Sequence, residues 1–276
     1  MGVRRITSPH NPLVKRLRSL ARSREPGAFL VEGRHVLAEA LRARWALEEV
    51  LLAEDQWELW QDRLEPLAAE GRVFLAPRKV FRHASAVAAP EGVSAVAARR
   101  PAAWPPHEGA KVWLFLDSVQ DPVNVGMLVR SAAAFGVGGV FCGQGSADPF
   151  HPTALARSAG AAFHLPLVPC SLEEFLAWAA SNRVLLVAAN AHGEDFRGWA
   201  PPSEAVVLAL GNEGRGLSPP LLEACRVRLS IPMVEGWDSL NVAVAGGLLM
   251  QHLTGSAGGS GRSSPPREGG PRGPAL

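Results

Sequence analysis

From residue 112 onward the chain repeats one pattern: a short apolar run, a polar or glycine-rich turn, then a stretch with helical spacing. Apolar runs at 112–116, 139–142, 164–167, 184–188, 206–210 and 227–231 alternate with helical patterns near 125–135, 152–158, 172–180, 217–224 and 240–253. Runs without polar alternation suit strands covered on both faces, and an intervening helix returns the chain to the same edge of the sheet. A mostly parallel α/β sheet is therefore predicted for residues 105–253.

The first hundred residues carry a second, smaller alternation. Leu13, Leu17 and Leu20 recur at helical spacing over 12–24, while Lys15, Arg18 and Arg22 fall on another face. Apolar runs at 29–31, 50–53, 73–75 and 93–97 alternate with helical patterns at 34–42 and 57–69. A separate small α/β domain over 1–104 follows. The proline-dense stretch 99–109 reads as the linker, and the Gly, Ser, Pro and Arg run of 254–276 as a disordered tail.

Charge supports a polyanionic partner more by placement than by sum. The net charge is only +2, but the first 24 residues hold seven Lys or Arg and no acid. Among 28 basic residues only Lys15, Lys79 and Lys111 are lysines; the planar arginine fork suits phosphate, and a GC-rich genome gives the same bias without any such role. Cys142, Cys170 and Cys225 are odd in number and far apart, which argues for neither a disulfide framework nor a metal centre. No apolar run reaches membrane-spanning length, so a cytoplasmic protein is expected.

Ligands of open α/β sheets bind beyond the carboxyl ends of the strands, so the turns after the apolar runs hold the candidate chemistry. The first turn is Asp117-Ser118-Val119-Gln120-Asp121-Pro122-Val123-Asn124-Val125-Gly126, followed by Arg130 on the next helix. The second is Leu210-Gly211-Asn212-Glu213-Gly214-Arg215-Gly216-Leu217, and the third joins Ile231-Pro232-Met233 to Ser239-Leu240-Asn241-Val242-Ala243. Each has a plain structural reading. Asn124 and Ser239 suit helix N-caps, and Gly211, Gly214 and Gly216 suit a tight turn. Their spacing matches neither a dinucleotide fingerprint nor a phosphate loop, and Ser239 lies in no nucleophile elbow. Asn241 is harder to explain structurally, because an amide in an apolar helix must find partners.

Together the three turns resemble, in order and spacing, the three motifs of the SpoU (TrmH-like) family of RNA 2′-O-ribose methyltransferases in the SPOUT superfamily. Val123 departs from the glycine common at its position in that family. Arg157-Ser158-Ala159-Gly160-Ala161 is also similar to a family segment near the reaction site. Asn11-Pro12-Leu13-Val14-Lys15 and Phe29-Leu30-Val31-Glu32-Gly33 are similar to the substrate-binding extension of members that modify ribosomal RNA.

The resemblance implies a SPOUT-type sheet with a trefoil knot and S-adenosylmethionine as cofactor. It places Leu210, Gly211, Asn212, Glu213, Gly214, Ile231, Met233, Leu240 and Asn241 around that cofactor. It assigns Arg130, Asn124, Glu213, Ser239 and Asn241 to catalysis, with no metal. The implied partners are RNA, ribosomal rather than transfer RNA, and a second copy of the chain in a homodimer. Lys15, Arg18, Arg22 and Arg157 are the expected RNA contacts. Alternatives are a transfer-RNA methyltransferase and a catalytically inactive RNA-binding protein on the same fold.

Overall fold

The computed structural model describes residues 2–22, 25–85, 87–101, 109–237 and 239–255. The chain builds two sheets. The first comprises β1 (Arg4–Arg5), β2 (Ala28–Glu32), β3 (Leu47–Ala53), β4 (Val73–Ala76) and β5 (Val93–Ala98), in the order β1-β4-β3-β5-β2. Strands β1, β4 and β3 are parallel and β5 runs antiparallel to both its neighbours. Helices α1 (Pro12–Leu20), α2 (Arg34–Arg42), α3 (Trp57–Ala69) and α4 (Arg78–Phe81) connect them. α1 starts where Asn11 accepts from the Leu13 N–H at 2.9 Å and buries Leu13, Val14, Leu17 and Leu20. Its charged side leaves Lys15, Arg18 and Arg22 exposed, whereas Arg16 is drawn back to Glu25 and Glu48.

The second sheet is entirely parallel and holds β6 (Val112–Asp117), β7 (Val140–Gly143), β8 (Leu167–Cys170), β9 (Leu185–Asp195), β10 (Val206–Gly211) and β11 (Val227–Ser230). Their order is β11-β9-β10-β6-β7-β8. Helices α5 (Pro122–Phe135), α6 (Pro152–Ser158), α7 (Leu172–Ser181), α8 (Pro219–Ala224) and α9 (Val242–Gly255) alternate with them. Leu114, Leu116, Val140 and Leu208 turn to one face and Phe115, Phe141, Val207 and Ala209 to the other, so both faces are dry. Among the described residues no helix is long and apolar enough to cross a membrane.

Four expectations need correction. The strand expected at 164–167 begins only at its last residue: 164–166 form a turn after the 3-10 helix Ala161–Phe163, and β8 runs Leu167–Cys170. Pro169 disguises that strand, and β8 tolerates it because it is the sheet edge, where a missing N–H costs no ladder bond. Asn124 is not the N-cap of α5: Asp121 accepts from the Val123 N–H at 2.8 Å, leaving Asn124 inside the first turn and 5% exposed. Ser239 does not cap the last helix, because Asn241 accepts from the Ala243 N–H at 2.9 Å. α9 extends through Thr254 and Gly255, and rather than being buried all round it exposes Val244 and Leu248. The rest of the expected tail and residues 102–108 of the expected linker lie outside the described residues.

The two sheets meet through a specific joint. Phe29 and Trp45 pack on Phe150 and Phe163, with the Phe29 and Phe150 centroids 4.7 Å apart. Arg99, expected in a linker, pairs with Asp148 across this joint while lying over both Phe29 and Phe150. His164 meets the largely buried Glu39 at 2.9 Å on its far side.

Candidate active site

The parallel sheet places all three candidate turns at one edge. β10 ends beside β6, with Gly211 opposite Asp117, so the second turn leaves the sheet next to the first. Asp117 accepts from the Ser218 N–H at 2.6 Å, and Asn212 donates to the Ser118 carbonyl at 2.9 Å. These bonds tie the two turns together. Asn212 also accepts from the Gly214 and Arg215 N–H groups, which closes residues 212–216 into a tight loop. A side chain at Gly211 would put its Cβ 2.3 Å from the Gly216 backbone, so glycine is what lets the loop fold onto its own start.

Against that loop lies a cavity of about 450 Å³, the size range of small-molecule sites. Of the expected cofactor residues, Leu210, Gly211, Asn212, Glu213, Ile231, Met233, Leu240 and Asn241 line it, together with Ser239. Gly214 does not line it and serves the loop instead.

Three side chains, one from each turn, are joined at the cavity's edge. Asn241 donates through Nδ2 to Asn124 Oδ1 at 2.9 Å, and Asn124 donates through Nδ2 to Glu213 Oε1 at 2.8 Å. Burial pushes the Glu213 carboxyl up, but the Asn124 amide and backbone N–H groups at Gln120 and Asp121 outweigh it and hold its pKa below the ordinary value. Glu213 is therefore an anion at neutral pH, fixed at the mouth of a largely apolar cavity. Among the described residues the buried Asn124 amide finds its side-chain partners in this relay, and so does Asn241 at the start of its apolar helix.

Arg130 is not brought to this cavity. It is exposed on α5, one turn from the exposed Met127, and does not line the cavity, whereas Asn124 is buried and bonded to Asn241 just before α9. Arg157 is exposed on α6, its Cβ close against the Gly126 position of α5, and Lys15, Arg18 and Arg22 belong to the other sheet's helix α1. The chain belongs to the SpoU rRNA methylase family. That family's model matches residues 111–251, and a model of the MRM3-like substrate binding domain matches residues 11–95.

The chain is 31% identical over 260 residues to the 23S rRNA (guanosine(2553)-2′-O)-methyltransferase RlmP of Bacillus subtilis, covering 92% of this chain and 100% of that protein. It is 32% identical to an uncharacterised tRNA/rRNA methyltransferase of Synechocystis, covering 89% and 91% of the two chains. Among solved structures, an AdoMet-bound rRNA methyltransferase from Sinorhizobium meliloti superposes with a TM-score of 0.81 at 29% identity, over 91% of this chain and 97% of that one. The SpoU methyltransferase AviRb from Streptomyces viridochromogenes shares the fold, with a TM-score of 0.80 at 24% identity, over 90% and 98% of the two chains.

Sequence reasoning missed one wall of the cavity, formed by Ala189, Asn190 and Ala191 on β9. The available signal was Gly193, an isolated glycine in a strand pattern, which marks a bulge or a close backbone approach. Among the described residues no group of three or more His, Cys, Asp or Glu is arranged to hold a metal ion.

Proposed function

We propose that the protein transfers a methyl group from S-adenosylmethionine to a ribose 2′-hydroxyl of RNA, and that its substrate is ribosomal rather than transfer RNA. The Asn241–Asn124–Glu213 relay carries this reading, because it links all three family motifs at the edge of a cavity of cofactor size. Leu210, Ile231, Met233 and Leu240 supply apolar walls for an adenine, and the close-folded Gly211 loop offers backbone groups to its polar edge. When bound, S-adenosylmethionine supplies an activated methyl group on a positively charged sulfur that leaves as a neutral thioether.

The chain's own residues must then hold the cofactor and deliver the hydroxyl. Glu213 contributes a fixed negative charge near the cationic centre, and Asn124 and Asn241 keep that carboxylate in one orientation. Arg130 is a bidentate donor suited to the target phosphate and ribose, and one route for the hydroxyl proton runs through that phosphate. Its position outside the cavity supports action on the site of a second copy. Met127, Val244 and Leu248 are 39%, 46% and 44% exposed on adjoining parts of α5 and α9, an apolar surface suited to homodimer contact. The exposed arginines and lysine of α1, with Arg157, extend a basic surface for RNA, and the protein works where that RNA is, in the cytoplasm.

Preference for ribosomal RNA rests on the domain over residues 11–95 and on the named activity of the Bacillus relative. The test is transfer of labelled methyl groups to unmodified ribosomal and transfer RNA side by side, with nuclease mapping that starts at the guanosine named for that relative. Label as 2′-O-methylribose in ribosomal RNA is expected. Label confined to transfer RNA would overturn the substrate choice, cofactor binding without transfer to either would point to another substrate such as an assembly intermediate, and failure to bind the cofactor would favour the inactive RNA-binding reading.

A further inference from the structure

β9 and β10 pair from Leu185 opposite Val206 to Ala188 opposite Ala209, and then they separate. β10 continues beside β6 to Gly211, while the pairing of β9 with β11 jumps from Ala188 to Glu194 across the consecutive residues Arg228 and Leu229. Residues 189–193 therefore bulge out at the carboxyl edge of the sheet. The bulge is pinned at its far end, where a Cβ on Gly193 would fall 2.4 Å from the Arg228 carbonyl oxygen. Ser230 Oγ donates to the Gly193 carbonyl at 2.9 Å and holds the same point. Diverging strands leave a crevice for a ligand, and this bulge is the cavity's outer wall.

The other two amides in the cavity each already donate through Nδ2 to a partner in the protein. Asn212 donates to Ser118 and accepts from Gly214 and Arg215, and Asn241 donates to Asn124 and accepts from Ala243. Asn190 differs. Its Oδ1 accepts from the His192 N–H at 2.9 Å, which fixes the side chain's orientation, while among the described residues nothing accepts from its Nδ2. The group is only half-buried, so water satisfies it until a ligand does. It is a pre-oriented donor aimed from the one wall that belongs to none of the three motifs.

We propose that Asn190 orients the cofactor, its side-chain amide donating to an oxygen of bound S-adenosylmethionine, either a ribose hydroxyl or the methionine carboxylate. The inference rests on the reading of the cavity as the cofactor site. Asn190 then selects for a ligand with an oxygen acceptor at this wall, and it acts on binding rather than on the reacting atoms.

The test uses the full chain and calorimetric binding of S-adenosylmethionine and of methylthioadenosine, which keeps the ribose and lacks the carboxylate. Asn190→Leu keeps about the same side-chain volume and removes the donor without offering a ribose hydroxyl another polar partner. It is expected to weaken S-adenosylmethionine by about tenfold or more, with an unchanged melting temperature and unchanged kcat at saturating cofactor. Loss for both ligands assigns the contact to the ribose, and loss for S-adenosylmethionine alone assigns it to the carboxylate. A parallel variant, Ala191→Trp, obstructs the same wall from an exposed position. If Asn190→Leu is silent while Ala191→Trp weakens binding, the role of Asn190 is overturned and the cavity stands. If both are silent, the cofactor-site reading fails with it.

Discussion

The two faces of α5 do different work with residues six positions apart. One face carries Asn124, 5% exposed and locked between Glu213 and Asn241. The other carries Arg130, exposed beside Met127 with solvent in front of it. Six residues on a helix amount to about 600°, which leaves the two positions about 120° apart around the axis, and only Asn124 turns toward the relay at the cavity's edge. A buried amide in a relay completes a ligand site, whereas an exposed arginine on an apolar surface needs a second molecule to have a function. On the proposed reading, the helix divides a cofactor side from a partner side.

The largest effects should separate these sides. Asn124→Ala leaves the ionised Glu213 and the Asn241 amide without their shared partner, so both cofactor affinity and methyl transfer should fall, transfer by about 100-fold. Arg130→Ala should lower transfer by a similar factor while leaving S-adenosylmethionine affinity unchanged, since the guanidinium does not line the cavity. Equal loss of cofactor affinity in both variants would erase the partition. Mixing the two inactive variants sharpens it further. If Arg130 serves the partner's site, random mixed dimers each regain one intact site, and about a quarter of wild-type transfer should return. No recovery after verified subunit exchange would place Arg130 at its own chain's site or outside catalysis.

The third face of α5 offers a smaller, purely structural effect. A Cβ on Gly126 would lie 2.4 Å from the Ala154 carbonyl oxygen and 2.7 Å from Arg157 Cβ, so Gly126→Ala must push α6 away. Because a carbonyl cannot rotate aside, a destabilisation of about 1–3 kcal/mol is expected in denaturant unfolding. Unchanged stability would mean that α6 is free to shift.

Much of this division was legible in the chain, and the failures are informative. The three turns stand out because strand ends in a parallel sheet collect polar groups, and their partners converge at the same edge. Asn124 and Ser239 were read as caps because an Asn or Ser before an apolar periodic run looks the same whether it caps a helix or reaches across to another motif. The choice was made by Asp121 and Asn241, which took the capping roles through bonds of 2.8 and 2.9 Å. The wall containing Asn190 was invisible for a different reason: it arises from two strands parting, a property of pairing between residues far apart in sequence. Arg99 looked like linker because its neighbours are prolines, yet its partners Asp148, Phe29 and Phe150 lie on either side of the joint.

A smaller effect concerns the charge on the cofactor side. Glu213 has a pKa below that of an unfolded carboxylate, so the stability it adds is fully present above the unfolded value and drains away as pH falls through the folded one. Glu213→Gln should therefore flatten part of the acid limb of a melting-temperature profile while leaving the neutral region nearly flat. A steeper acid limb in the variant would mean that the relay does not hold the carboxylate as an anion. A limb near neutral pH in a methyl-transfer rate profile is expected to come from another group, because Glu213 is already ionised there.

The smallest effects belong to α1, on the other sheet. Lys15 and Arg18 are exposed and free of the carboxylates that hold Arg16, so their charge is available to a phosphate backbone. Arg18→Ala should weaken RNA binding by a few-fold and reduce the salt dependence of binding by roughly one phosphate contact, with cofactor affinity unchanged. Arg16→Ala should instead lower stability, because it strands Glu25 and Glu48 without their shared cation. Identical RNA-binding losses in the two variants would show that α1 responds as a block of charge, and the distinction between a structural and a recognising arginine on this helix would collapse.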